Sequence, residues 1–414
     1  MSSKLPFKRA LAAIGGSAGM ALSSLVLALC LMQKGAIEEY GLFAFLLITQ
    51  ALANGFSNAM LGSPLLIALA DTKSQRERSG NRTLQSFMLA NLLLCLIFAV
   101  IQAGIVWGFE NNWLLSLTYG ISAFFTTLRW FGRAYCNNSH RHAKVVVSDA
   151  NYTLLSLTLA GYLFLSDNVS LLSFGCLTGV AASLSLFWLG REFLCMQCIQ
   201  VFGADLRGFA NGWNKQGKHA LLGVLTTEGT LNSHSYMVTL FFGPAAFAPI
   251  AAASLLFRPV MVVLNSLNQV ERPRLRRMLA NNEVSQAKLS LVRYRAVNIV
   301  FWIINCIAAA IVLTLFSDIY WKDASTLSAL LWATLFIALV RGSRSVSSTY
   351  SVFLQAADRF KALSLVTLKS SLLTIPVVFL ILQYFPPEFS LIGILIGEVF
   401  AFILLLSLYS GVKS

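Results

Sequence analysis

The sequence predicts an all-α integral membrane protein. Twelve transmembrane helices would form two six-helix lobes related by a pseudo-two-fold axis along the membrane normal. Three observations predict it. Hydrophobic residues make up 57% of the 414-residue chain and charged residues only 12%, with a mean hydropathy of +0.71, whereas soluble domains carry about 25% charged residues. Apolar runs of about 20 residues, each able to cross the hydrocarbon core as a helix, return along the whole length. Finally, the second half superposes on the first.

The runs fall at 10–32, 42–66, 84–108, 113–135, 148–166, 169–190, 219–241, 246–267, 296–317, 324–345, 363–383 and 389–411. The first opens behind Lys4, Lys8 and Arg9, as a signal peptide would, but Lys218-His219-Ala220-Leu221 opens a comparable run in mid-chain, so an uncleaved span is expected. The net charge of +14 does not form one patch for nucleic acid. Of 31 lysines and arginines, 27 lie in the N-terminus, 71–82, 129–144, 191–218, 268–295, 341–361 and the C-terminus. These segments alternate with loops holding only Lys34 and Lys322, so the basic loops and both termini are expected in the cytoplasm, with a bacterial inner membrane as the location. The seven cysteines are scattered and Cys195-x-x-Cys198 has no second pair, so neither a metal site nor any other cofactor is expected.

The repeat sets the lobes at 1–207 and 208–414. Lys8-Arg9-Ala10-Leu11 matches Lys218-His219-Ala220-Leu221, Arg129 matches Arg341, and Arg141-His142-Ala143-Lys144 matches Asp358-Arg359-Phe360-Lys361. Both halves start and end on the cytoplasmic side, so the repeats are parallel, an arrangement that places transporter sites between them.

Candidate site residues are polar groups at membrane depth, where an ionised side chain costs about 2.5–3.5 kcal/mol. In the second run Gln50, Asn54, Ser57 and Asn58 share a face that must meet protein or a water-filled cavity. In the seventh, Glu228, Asn232, Ser235 and Thr239 form one stripe. In the eighth, Arg258 lies between Phe257 and Pro259. Glu228 and Arg258 both lie about 14 Å from the cytoplasmic end, within reach of each other. Two readings stand for them: an anion contact held or titrated by Glu228, or an ion pair that only fixes two helices. Arg129 and Arg341, with Arg133 and Arg344 one turn on, form a cytoplasmic funnel for an anionic head group or else snorkel to lipid. Lys369 has the same two readings. Asp149 caps the fifth run or binds a coupling ion. Glu398 is a candidate for a coupling cation, proton or sodium, although Gly393 and Gly397 beside it also suit a packing face. The run Arg272, Arg274, Arg276 and Arg277 is expected to meet anionic membrane lipids.

Gly35-Ala36-Ile37-Glu38-Glu39-Tyr40-Gly41-Leu42-Phe43 resembles the G-x-x-E-Y-G-x-F loop that follows the first span of polysaccharide transporters. These are the oligosaccharide-lipid (O-antigen type) flippases of the MOP superfamily, with a MATE-like fold. The second-half turn, Gly243-Pro244-Ala245-Ala246-Phe247-Ala248, followed by Ala253-Ser254-Leu255-Leu256-Phe257-Arg258, is similar to the start of that family's eighth span, with Pro244 and Pro249 in the turn and the glutamates and following glycine absent. The resemblance implies alternating access. A polyprenyl-diphosphate-linked oligosaccharide, a precursor of surface polysaccharide, would pass its head group through a cavity between the lobes, lined by amides, hydroxyls and a few cations. A cation-coupled exporter of small molecules in the same superfamily is the alternative. An enzyme, whether glycan polymerase or glycosyltransferase, is not expected, because the outer loops are short and no nucleotide fingerprint or catalytic dyad is present.

Overall fold

The computed structural model describes residues 4–65, 77–139, 141–201 and 204–411, and among them every regular element is a helix. Residues 71–76 of the basic loop expected at 71–82 lie outside the described residues, and 77–82 open a helix. The contacts divide the chain into two compact units, Met1–Val224 and Leu225–Ser414.

The first unit holds six long helices: α1 (Lys4–Lys34), α2 (Ile37–Ser57), α3 (Glu77–Glu110), α4 (Trp113–Asn138), α5 (His142–Leu165) and α6 (Leu171–Leu186). Two short ones follow, α7 (Arg191–Cys198) and α8 (Arg207–Gly212). Local chemistry sets several ends. Asn112 caps α4 by accepting from the N–H groups of Leu114 at 3.0 Å and Leu115 at 3.2 Å, and Ser170 caps α6 through Ser173 N–H at 3.2 Å. Helix α2 runs on into one π-helical stretch, Asn58–Gly62, of the kind that often marks functional sites.

In the second unit and across its boundary lie α9 (Lys218–Leu231), α10 (Ser233–Phe242), α11 (Pro244–Leu256), α12 (Arg258–Ala280), α13 (Val284–Leu315), α14 (Leu327–Ala356), α15 (Phe360–Tyr384) and α16 (Ser390–Ser410). Gly243 turns the chain at φ +85°, a conformation open mainly to glycine, and Pro244 starts α11 where its missing N–H costs nothing.

Helices occupy the expected apolar runs, but two of the runs are broken. The seventh divides into α9 and α10 at Asn232, and the eighth bends by 51° between α11 and α12. Pro259 explains the second break: its ring would clash with the carbonyl four residues back, and it has no N–H to continue the helix. The chain therefore restarts at Arg258, with Pro259 in the first turn. Among the described residues, seven helices are long and apolar enough to cross a membrane, or eight if α11 and α12 count as one span. The chain is thus a multi-pass membrane protein.

In the first unit α7 folds back onto α4. Phe193, fully buried, packs on Phe131 and Tyr135, worth about 1.5–3 kcal/mol for its burial. Gln197 satisfies both ends of its amide inside the same core, accepting from Asn91 at 3.1 Å and donating to the Met88 carbonyl at 3.0 Å. The α7 carboxylate Glu192 accepts from Arg141 at 2.5 Å and from the Tyr135 hydroxyl at 3.4 Å, which holds its pKa below the usual 4.5. A lowered carboxylate pKa contributes stability above the unfolded value, lost as pH falls through the folded one. The pair is half exposed, so Glu192→Gln is expected to cost under about 1 kcal/mol at pH 7 and nothing at pH 3, read by thermal unfolding.

The second unit's core centres on Phe353, Tyr350, Tyr294 and Tyr409; Phe353 and Tyr409 stand edge to face at 5.1 Å. Helices α15 and α16 pack through Gly393 and Gly397, and Ser370 on α15 donates to the Gly397 carbonyl at 2.8 Å. A Cβ at Gly393 would come within 2.6 Å of a Val378 methyl and 2.9 Å of its backbone nitrogen. Gly393→Leu is accordingly expected to destabilise by about 1–3 kcal/mol or more, seen as a lowered unfolding temperature, because backbone cannot move aside as a side chain can.

Candidate functional site

The first unit buries two arginines one turn apart against one carboxylate, and the second sets two partly buried arginines near another. In the first unit Arg129 and Arg133 stand on α4, 2% and 9% exposed, and Asp149 is two turns into α5, 2% exposed. Arg129 Nη2 donates to Asp149 Oδ1 at 2.5 Å, while Arg133 spans the carboxylate, Nη2 to Oδ2 at 2.8 Å and Nε to Oδ1 at 2.8 Å. Arg129 Nε also donates to Ser148 Oγ at 3.3 Å, and its guanidinium covers the Tyr152 ring at 4.4 Å. Arg133 covers Trp130 at 4.6 Å. These arginines do not snorkel, and Asp149 does not cap its helix, which begins seven residues earlier at His142. Asp149 is the shared counter-ion of a buried triad with one positive charge in excess.

The amide stripe of α2 is engaged within the same unit. Gln50 donates to Thr127 Oγ1 at 3.1 Å and to Asn54 at 3.3 Å, and accepts from Gln102 at 3.2 Å. At the π-helical stretch Asn58 accepts from the Trp130 indole at 3.1 Å, linking the stripe to the ring beneath Arg133. The stripe thus meets protein, as unsatisfied amides in lipid would require.

In the second unit α14 carries Arg341 and Arg344, and α16 carries Glu398, 6% exposed. Arg344 Nη1 lies 3.5 Å from Glu398 Oε1. Arg341 Nη1 meets the Met261 sulfur at 3.2 Å, and its Nε is buried without a hydrogen-bond partner. The sequence repeat sets Arg341 opposite Arg129; each has a second arginine one turn on and a methionine sulfur in contact (Met20 for Arg129, at 3.3 Å), but Arg129 is ion-paired with Asp149, whereas Glu398 pairs with Arg344 and not with Arg341. The acid comes from α5 in one unit and α16 in the other.

Glu228 Oε2 accepts from Asn232 Nδ2 at 2.7 Å and from the Tyr236 hydroxyl at 3.4 Å, so it staples α9 to α10 across their break. Arg258 opens α12, electrostatically coupled to Tyr320 in the loop after α13. Burial pushes that phenol up and the guanidinium opposes the shift. Asn305 donates to the Leu256 carbonyl at 2.9 Å, satisfying an acceptor at the broken end of α11. Equal depth was expected for two unbroken helices, and both helices are broken.

A cavity of about 260 Å³ opens in the second unit among α9, α12, α14, α15 and α16. Its wall mixes hydroxyl and amide side chains, including Thr230, Asn265, Ser348, Ser351 and Gln355, with apolar ones and the Arg344–Glu398 pair. Lys369 on α15 is exposed and does not line it, although its neighbours Thr367 and Ser370 do. The polar wall of α14 was missed from the sequence. A signal was present: Arg344, Ser347/Ser348, Ser351 and Gln355 recur every three to four residues in one run. Of the basic run on α12, Arg276 donates to the Ala356 carbonyl at 2.9 Å, Arg272 covers Phe360 at 5.6 Å and Arg274 pairs with Glu271 at 3.2 Å. These three are therefore at least partly used within the unit.

No family model matches the chain, and no curated protein matches it in sequence. Solved structures match in fold. The lipid II flippase MurJ, in an inward closed conformation, gives a TM-score of 0.71 at 14% identity, over 96% of this chain and 87% of MurJ. An inward-facing multidrug resistance MATE family transporter of the MOP superfamily gives 0.65 at 14% identity, over 97% of this chain and all of that one. The MATE transporter VcmN of Vibrio cholerae gives 0.62 at 15% identity, over 98% and 95%. At such identities the likeness is one of fold.

Proposed function

We propose that the chain is a flippase of the polysaccharide-transporter type, with twelve spans in two six-helix lobes. Its substrate would be a polyprenyl-diphosphate-linked oligosaccharide, moved across a bacterial inner membrane by alternating access. The observation that carries this is the charge of the two buried clusters. Each sets two arginines against one carboxylate, leaving an excess positive charge inside an apolar bundle. Such an excess is costly unless an anion offsets it during the working cycle, and a diphosphate is such an anion. The likeness to a lipid II flippase supports the same substrate class. Arg129, Arg133 and Arg341 are the proposed anion contacts, Arg344 being paired with Glu398. Arg258 is a further contact, Glu228 and Asn232 hold the α9–α10 break, Gln50 and Asn54 are further polar contacts on α2, and Lys369 guides the head group on approach.

A second reading, export of a small molecule coupled to a proton or sodium ion, draws on the likeness to MATE transporters and on the carboxylates Asp149 and Glu398. In both clusters the carboxylate already faces arginine, so a coupling cation would have to displace a guanidinium. Lipid extracts separate the two readings. Cells lacking the gene are expected to accumulate polyprenyl-linked glycan, detected by mass spectrometry, whereas loss of a drug-type exporter leaves those lipids unchanged.

A further inference from the structure

We infer that the cavity of the second unit is a binding site for one neutral sugar ring, a subsite of the flippase reading on which this rests. At about 260 Å³ it lies below the roughly 300–1,000 Å³ of sites for drug-sized ligands, yet holds about eight water volumes. Its chemistry selects among ligands by what each would leave unpaired. Arg344 Nη1 is buried without a hydrogen-bond partner, and its ion-pair contact, Glu398 Oε1, stands at 3.5 Å, so a ligand oxygen would complete its solvation. Ser348 Oγ, with Tyr294 as a neighbour, is a second donor on the wall. One oxygen of Glu398 faces Arg344 at 3.5 Å, and no hydrogen bond among the described residues engages its carboxylate. Guanidinium and carboxylate side by side suit adjacent hydroxyls, one accepting from Arg344 and the next donating to Glu398.

Other ligand classes fit less well. A phosphate would gain Arg344 but meet Glu398, and a bare cation would gain Glu398 but meet Arg344. An apolar molecule would bury Ser348, Ser351 and Asn265 with nothing to bond. A neutral polyhydroxylated ring satisfies both charges and the hydroxyl wall, while Met261, Leu264 and Val352 cover its carbon face.

The experiment uses the full-length protein in nanodiscs, with tritiated glucose, galactose, mannose and N-acetylglucosamine as probes in equilibrium binding. Saturable binding of at least one is expected. Ser351→Leu, which fills the cavity from one wall, should abolish it, and Ser348→Ala should weaken it about tenfold, the size of one hydrogen bond. Near-parental unfolding temperatures for both variants would show that the loss is local. Three results would overturn the inference: no saturable binding of any of the four sugars, equal binding by Ser351→Leu, or competition by inorganic phosphate or sodium but not by unlabelled sugar. Each would leave the transport reading intact if cells lacking the gene still accumulate glycan lipid. Unchanged lipids together with saturable sugar binding would do the opposite, removing the flippase reading while keeping the sugar site.

Discussion

Asp149→Asn is expected to lower the stability of the protein by about 3–5 kcal/mol, whereas Arg133→Gln costs under about 1.5 kcal/mol. The asymmetry follows from the triad. Asp149 is the one carboxylate within ion-pair distance of both Arg129 and Arg133. Neutralising it strands two guanidinium groups that are 2% and 9% exposed. Neutralising Arg133 leaves a one-to-one pair, Arg129 with Asp149, still hydrogen-bonded through Ser148. Thermal or denaturant unfolding in detergent distinguishes the two. Equal losses would mean that the carboxylate is not the keystone of the cluster.

Arg344→Ala is expected to do two separable things. Among the described residues it leaves buried Glu398 with no cation within ion-pair distance, which destabilises by about 2–5 kcal/mol, and it removes a proposed substrate contact, which abolishes export. The double variant Arg344→Ala/Glu398→Gln tells them apart. Without the stranded carboxylate it should recover most of the stability, yet export should stay at background. Arg344→Lys should keep part of the export, since a lysine retains the charge but not the planar fork. Surface polysaccharide in complemented deletion cells reports export, and unfolding temperature reports the pair. Recovery of both in the double variant would make Arg344 a structural residue only.

The architecture was legible in the sequence because apolar length and loop charge are summed over many residues and survive local errors. Helices lie at all the expected runs, and the fold shared with MOP-superfamily structures is the one the Gly35–Phe43 loop suggested. Pairwise geometry was not legible. Glu228 and Arg258 are set at equal depth by counting along straight helices, and both helices are broken. The break at Pro259 is explicable from proline chemistry. The sequence holds no comparable signal for the break at Asn232. The repeat sets Arg129 against Arg341, but the acids near them, Asp149 and Glu398, come from non-equivalent helices. No internal repeat could reveal such a pairing. The cavity was hidden for a different reason: serine and threonine are common in membrane helices, so the α14 stripe stands out only once α16 brings Glu398 against Arg344.

The central claim, that an anionic lipid-linked glycan is the cargo, is tested most directly by where that lipid accumulates when the gene is deleted. Spheroplasts and inverted membrane vesicles from the deletion strain would be treated with a membrane-impermeant periodate reagent. Polyprenyl-linked glycan would then be quantified by mass spectrometry. The expected result is a glycan lipid enriched over the parent strain, oxidised in inverted vesicles and protected in spheroplasts, as it is when held on the cytoplasmic leaflet. Wild-type levels, or glycan equally oxidised from both sides, would contradict the claim.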